Sequence, residues 1–238
     1  MKLLFSFPED LERAKRENWP LVIPAGNVEY HGAHCVYGCD ILIVEGIVEK
    51  LEKERNIMIA PTISYGPSSY AASGPEKGTI HVDMNIFERH IYDILRAYLN
   101  GGWRNIYILI HHQYDNEMLF PMTLCYMKAA SQLIFDYIEE KNGQGWFAKL
   151  DKTEDFRKWK NWIKVLPVMS RDTQQKTGYD HAGKWECSLL RALYPDTIKN
   201  ENIDDNTEWF GKNAILSSKE IGDQMIEVCL EDLKFRIK

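Results

Sequence analysis

The chain has 238 residues, 45% of them hydrophobic and 27% charged, with a net charge of -6. That composition suits one soluble globular domain with a sizeable core. An acidic chain without a basic stripe or Lys/Arg cluster argues against a nucleic-acid partner. No apolar stretch approaches the ~20 residues needed to span a bilayer. The segment Met1 to Asp10 is too briefly apolar for a secretory signal and turns acidic at once, so a cytoplasmic location is expected. Five cysteines, at 35, 39, 125, 187 and 229, are an odd number with no C-x-x-C pair. They are expected to be reduced and mostly buried.

Leu21 to Ala25 is an apolar run that stops at Gly26 and reads as a buried strand. From Ile41 to Leu51 the apolar residues fall at 41, 44, 47, 48 and 51, which is helix spacing. Ile57 to Ala60 is a short strand closed by Pro61. Asn85-Ile86-Phe87-Glu88 reads as a capping box with Asn at the cap. It opens a helix whose face is Phe87, Ile91, Ile94, Leu95 and Tyr98, and Gly101-Gly102 ends it. Ile106 to Ile110 is the clearest buried strand. A long helix is expected from about Asn116 to Glu140, with Pro121 tolerated in its first turns. Ile163 to Leu166 is the next strand, and Glu186 to Leu193 and Glu220 to Lys234 are helices. This alternation predicts an α/β layered fold with a largely parallel sheet, in a single domain over 1–238. Residues 141–162 are polar but carry Trp146, Phe147, Trp159 and Trp162. They read as a lid or subunit contact, or equally as an excursion packed on the core.

Three clusters carry the chemistry. Glu29-Tyr30-His31-Gly32 and then Asp40 follow the first strand, and strand ends are where α/β proteins place their sites. Two carboxylates and an imidazole can bind a divalent metal. They can equally be surface acids and a loop histidine. Cys35 and Cys39 flank this loop, but their spacing fits no zinc ribbon or finger. The strand at 106–110 runs into His111-His112-Gln113-Tyr114-Asp115-Asn116. Such polar side chains need partners if they are buried, and a helix start there favours anions. Asp115 or Asn116 also suits a helix cap. Further on, His181 and Glu186 could supply general acid/base catalysis, although a lone His and Glu near a helix start are more often structural. The loop Gly66 to Gly78, with Ser68, Ser69 and Ser73, suits a substrate loop, and no G-x-S-x-G elbow is present. No nucleotide-binding glycine motif follows a predicted strand. Cys35 near His31 and His34 is the other conceivable nucleophile.

Taken together, these motifs resemble the creatininase (creatinine amidohydrolase) family over about Leu21 to Pro195. The matching residues are Pro24-Ala25-Gly26, Glu29-Tyr30-His31-Gly32, Gly38-Cys39-Asp40, Gly78-Thr79-Ile80, Gly102-Trp103-Arg104-Asn105 and His181-Ala182-Gly183-Lys184-Trp185-Glu186-Cys187-Ser188. The resemblance implies a three-layer α/β/α sandwich, frequently a homohexamer. It also implies a site for one or two divalent ions, Zn or Mn, in which Asp40 bridges two metals, Glu29 binds one and His31 the other. A metal-bound hydroxide would attack a carbonyl carbon, with His181 as proton donor and Glu186 orienting it or touching the metal. The family's third motif reads Asn-Gly-His. Aligned without a gap, this chain has His111-His112-Gln113 there, so Gln113 falls on the ligand histidine and Asp115 on a second-metal Glu. Gln is a weak neutral ligand, and a local shift would give the role to His112 or His111. The expectation is a metal-dependent hydrolase of a small cyclic or amide-bearing metabolite. The first alternative is a C–C hydrolase that opens a carbocyclic diketone in inositol catabolism. The second, prompted by Gln113, is a catalytically degenerate structural or sensor oligomer.

Overall fold

Four apolar runs pair side by side in a parallel sheet. They are β1 (Leu21–Ala25), β2 (Met58–Ile59), β3 (Ile106–Ile110) and β4 (Ile163–Pro167), in the order β2-β1-β3-β4. The computed structural model describes residues 1–112, 120–149 and 157–238. The register sets Leu21 against Ile106 and Ala25 against Ile110, and Ile110 against Pro167. Side chains alternate between the faces of a strand. Leu21, Ile23, Ala25, Ile106, Ile108 and Ile110 join one core cluster, while Val22, Tyr107 and Leu109 join the other. Both faces are covered, which is why these runs are apolar throughout rather than alternating.

The first cluster is closed by α1 (Pro8–Arg16), α3 (Met84–Asn100) and α4 (Pro121–Asn142). The second is closed by α2 (Cys39–Glu52), α8 (Lys184–Leu193) and α9 (Lys219–Arg236). Short helices α5 (Trp146–Lys149), α6 (Arg157–Lys160) and α7 (Arg171–Thr177) lie between them in sequence. The result is the expected three-layer α/β/α sandwich. No helix among the described residues is long and apolar enough to cross a membrane.

Three local expectations need correction or completion. The cap of α3 is Asp83, whose carboxylate accepts the N–H groups of Asn85 and Ile86 at 2.9 and 3.2 Å. Asn85 already lies inside the first turn, so it cannot cap that turn. Helix α4 is described from Pro121, at the first helical position, where a missing N–H costs nothing; residues 116–119 lie outside the described residues. Within 141–162, Trp146, Trp159 and Trp162 pack onto the α3/α4 side of the core. Their rings touch one another and Tyr137 at centroid distances of 5.9 to 6.4 Å. The described tryptophans of this segment thus pack on the core, while Phe147 is exposed.

Helices α8 and α9 approach so closely that a Cβ on Gly222 would fall 1.9 Å from the Ser188 carbonyl oxygen. No rotamer change relieves a clash with backbone, so Gly222→Ala is expected to lower stability by at least ~2 kcal/mol. A urea midpoint shifted to lower concentration at unchanged slope checks this.

Candidate metal centre

The chain builds from β1 to β2 on one side and then crosses to β3 on the other. Loops leaving β1 and β3 therefore diverge, and the crevice between them is a switch point where α/β sheets hold ligands. The first cluster leaves β1 and the second leaves β3. Asn27 is buried and braces this crevice. Its amide donates to the Ile80 carbonyl at 3.0 Å and accepts from the Gly66 N–H at 3.1 Å. Ile80 N–H bonds the Val28 carbonyl, and Thr79 Oγ1 accepts from the Tyr30 N–H. The Gly78-Thr79-Ile80 segment is thus a clamp on the Glu29 to His31 loop. Gly26 admits the first turn of α2, since a Cβ there would lie 2.8 Å from the Asp40 carbonyl carbon and the Ile41 nitrogen. That approach sets Asp40 against the end of β1.

Seven of the expected residues come together: Glu29, His31, Asp40, His111, His112, His181 and Glu186. His31 Nε2 stands 3.4 Å from Asp40 Oδ1 and 3.6 Å from Glu186 Oε2. His112 Nδ1 stands 2.8 Å from Asp40 Oδ2 and 3.3 Å from Glu29 Oε2. His111 Nε2 lies 3.2 Å from Glu186 Oε1. Donor atoms of Glu29, Asp40 and His112 lie within 4.8 Å of one another, as do those of Asp40, His111 and Glu186. Two further groups, Glu29-His31-His181 and His31-Cys39-Glu186, meet the same limit. His112, then, reaches the carboxylates from the third motif; Gln113 and Asp115 lie outside the described residues.

The donor set fits a divalent ion. Glu29 Oε1, His31 Nε2 and His112 Nε2 are buried without a hydrogen-bond partner, a costly state for polar atoms. Ligand bonds of about 2.0–2.2 Å in a tetrahedron place neighbouring ligand atoms ~3.3–3.6 Å apart. Four of the five His–carboxylate contacts, at 3.2 to 3.6 Å, are long for hydrogen bonds and close to that edge. Both shared carboxylates also sit in the first turn of a helix, Asp40 on α2 and Glu186 on α8, where the helix end favours negative charge.

Charge at the site is set by these neighbours. Burial favours a neutral Asp40, but His112 and His31 override it and hold the carboxyl well below the usual range. Burial likewise opposes charge on His112, yet Asp40 and Glu29 push its pKa up to about 9. His31 is raised against its own burial, chiefly by Asp40. Glu186 is lowered against burial by its bond to His111 and by His31 and His181. The buried carboxylates thus draw positive charge onto His31 and His112. His181 behaves oppositely: burial and the adjacent His31 lower its pKa.

Helix α8 begins through a tight turn. Asp180 accepts the N–H groups of Trp185 and Glu186 at 3.1 to 3.2 Å, and Glu186 Oε2 accepts the Ala182 N–H at 2.7 Å. Ala182 holds a left-handed φ of 52°, an unfavourable conformation for a residue with a Cβ. It is kept there because its carbonyl also accepts from His34 Nε2 at 2.8 Å. His181 Nε2 donates to the Tyr30 carbonyl at 3.2 Å. Its ring lies 4.1 Å from that of His31 and edge-on to Phe210 at 4.6 Å.

The cluster floors a cavity of about 520 Å³, whose walls include Ala71, Ala72, Phe120, Trp185 and Trp209. The 66–78 loop therefore does reach the pocket. Asp180, Trp209 and Phe210 escape the sequence reading, and His34, read there only as a neighbour of Cys35, instead holds the Ala182 carbonyl. Asp180 sits six residues before Glu186, a capping signal visible in sequence. The others lie in loops whose partners are remote in the chain. Cys39 has its Sγ 3.9 Å from Glu186 Oε2 on the core side. Burial pushes the Cys39 thiol well up; against its bond to Cys187, the bond to Cys39 and burial push that of Cys35 well up too, which disfavours a nucleophilic thiolate.

The family Creatininase, creatinine amidohydrolase, matches residues 8–225. Creatinine amidohydrolase of Pseudomonas putida is 24% identical over 243 residues, spanning 92% of this chain and 88% of that protein. The crystal structure of creatinine amidohydrolase (creatininase) superposes with a TM-score of 0.75 at 17% identity, covering 99% of this chain and 97% of that one. The manganese form of creatininase gives the same TM-score, 0.75, and identity, 17%, with 99% of this chain and 98% of that one covered. So does a creatininase mutant complexed with creatine, at 0.75 and 17%, covering 99% and 96%. With the match running over residues 8–225 and the same layered fold, the chain belongs to the Creatininase family and is a metal-dependent hydrolase.

Proposed function

We propose that this chain hydrolyses a C–N bond in a small cyclic or amide-bearing metabolite, using Zn or Mn ions held in the Glu29 to Glu186 cluster. The observation that carries the reading is the set of orphaned, buried polar atoms on Glu29, His31 and His112, beside a cavity lined by Glu29, Asp40, His112 and Glu186. Glu29, Asp40 and His112 would hold one ion, and His31, Asp40 and Glu186 the other, with Asp40 shared. Support for the ions comes also from creatininase itself, whose solved forms include a manganese one and a Zn-Zn type. When bound, such ions polarise a carbonyl and lower the pKa of water, making it a nucleophile near neutral pH.

The chain's own residues carry the remaining steps. His181 is neutral at physiological pH because burial and His31 lower its pKa. A carbonyl can only accept, so the bond to Tyr30 fixes the proton on Nε2 and leaves Nδ1 as the acceptor. Nδ1 takes a proton from the attacking water and returns it to the departing nitrogen. Glu186 keeps its place through the Ala182 N–H. Creatinine is the first substrate to test, because it is the one named for the Pseudomonas putida relative. Opening a cyclic diketone needs the same polarised carbonyl and is the second. Assembly as a homo-oligomer belongs to the same reading and is checked by light scattering.

Elemental analysis of protein purified without chelator is expected to return about two equivalents of Zn or Mn. Stripping the metal should abolish hydrolysis and adding it back should restore it. No metal and no uptake of either ion would favour the degenerate oligomer. Asp40→Asn should lose metal and at least ~10³-fold in kcat/KM, as expected when a ligand shared by both ions is weakened. His181→Asn should keep its metal while kcat falls by ~10²–10⁴. A His181→Asn variant with unchanged kcat would remove the proton-transfer role.

A further inference from the structure

His111 is the imidazole that the family motif does not supply, since Asn stands at that place in the ungapped alignment. It is fixed by the sheet: its N–H donates to the Ala25 carbonyl at 2.9 Å, directly beyond β3. Its side chain has little exposure, and Nε2 stands 3.2 Å from Glu186 Oε1. Glu186 Oε2 accepts the Ala182 N–H, and Oε1 is the oxygen that faces His111. Asp40 completes the group, with all three donors within 4.8 Å. His31 Nε2, buried and unpartnered, approaches from the other side, 3.4 Å from Asp40 Oδ1 and 3.6 Å from Glu186 Oε2.

We propose that His111 is a ligand of the metal position formed by His31, Asp40 and Glu186. The inference rests on the metallohydrolase reading above and makes the two positions unequal. This one has two imidazoles and two carboxylates, four protein ligands, which fill a tetrahedron and suit zinc. The other has Glu29, Asp40 and His112, two carboxylates and one imidazole, and keeps an open place as catalytic sites do. The first ion is then the tightly held one. The second is exchangeable, accepts harder ions such as Mn, and offers its free coordination to the substrate. Cys39 is the competing donor, reaching Glu186 from the core side at 3.9 Å. It lies off the pocket, whereas His111 lines it.

The test is metal retention by the purified, zinc-loaded chain dialysed against graded chelator. Wild type should hold one zinc equivalent under conditions that strip the other. His111→Gln should weaken the retained equivalent by at least ~10-fold, the loss expected even for partners outside the ligand set. The exchangeable equivalent should be unchanged. Equal retention of both ions by wild type and His111→Gln would overturn the proposal, and so would a loss reproduced by Cys39→Ser instead. X-ray absorption at the zinc edge of the one-equivalent wild type needs no variant. Two imidazoles are expected, and a count of one overturns the assignment. Failure of the broader reading looks different, because wild type would then take up no zinc at all.

Discussion

Asp40 is the residue on which the rest of the site depends. Its two oxygens face different imidazoles, Oδ1 toward His31 and Oδ2 toward His112, and it is almost wholly buried. Burying one ionised carboxylate costs several kcal/mol unless partners compensate, and Glu29 and Glu186 are buried within a few ångströms of it. Such a cluster is stable only when imidazoles or cations answer each charge. The scaffold is fitted to that need: Gly26 lets α2 start against β1, the first turns of α2 and α8 present N–H groups to anions, and Asn27 with Thr79 clamps the loop that carries Glu29 and His31.

The pair His111-His112 shows how a strand end divides its side chains. Successive residues at a strand end project to opposite sides. His112 turns toward Asp40 and Glu29, and His111 toward Glu186. A ligand moved along the chain by one residue would normally face away from its target. Here the chain leaves the ladder just after Ile110, where the backbone is no longer held to sheet geometry on both sides. The imidazole at 112 thus meets Asp40 and Glu29 from just beyond the ladder.

Much of the architecture was legible because burial on both faces makes a strand a continuous apolar run, and because α2, α3 and α9 keep their apolar spacing. The site was legible where chemistry is concentrated at strand ends. What escaped was decided by tertiary geometry. Nothing in His111-His112-Gln113 says which ring turns inward. Asp83 was overlooked beside Asn85 because both types cap helices, and only the backbone dihedrals separate them. Trp209 reaches the pocket and Phe210 packs on His181 from a polar loop without periodicity. That loop is held by Asn206 bonding the Phe210 carbonyl and by the Lys77–Glu208 ion pair, contacts that no local pattern announces.

His31 and His181 carry the last step of the reasoning. Their rings are 4.1 Å apart, yet their environments drive them in opposite directions. Asp40 raises His31 against its burial. Burial lowers His181, and His31 adds to the effect. When titratable neighbours are pushed apart in this way, their roles separate. His31 is the ring that carries or meets positive charge, and His181 is the one that stays neutral and can accept a proton. A divalent ion held at His31 would keep positive charge on that side, so the separation would not depend on which cation is there. Phe210 packs edge-on to His181 and the Tyr30 carbonyl takes its Nε2 proton, so both its tautomer and its orientation are fixed before any substrate enters.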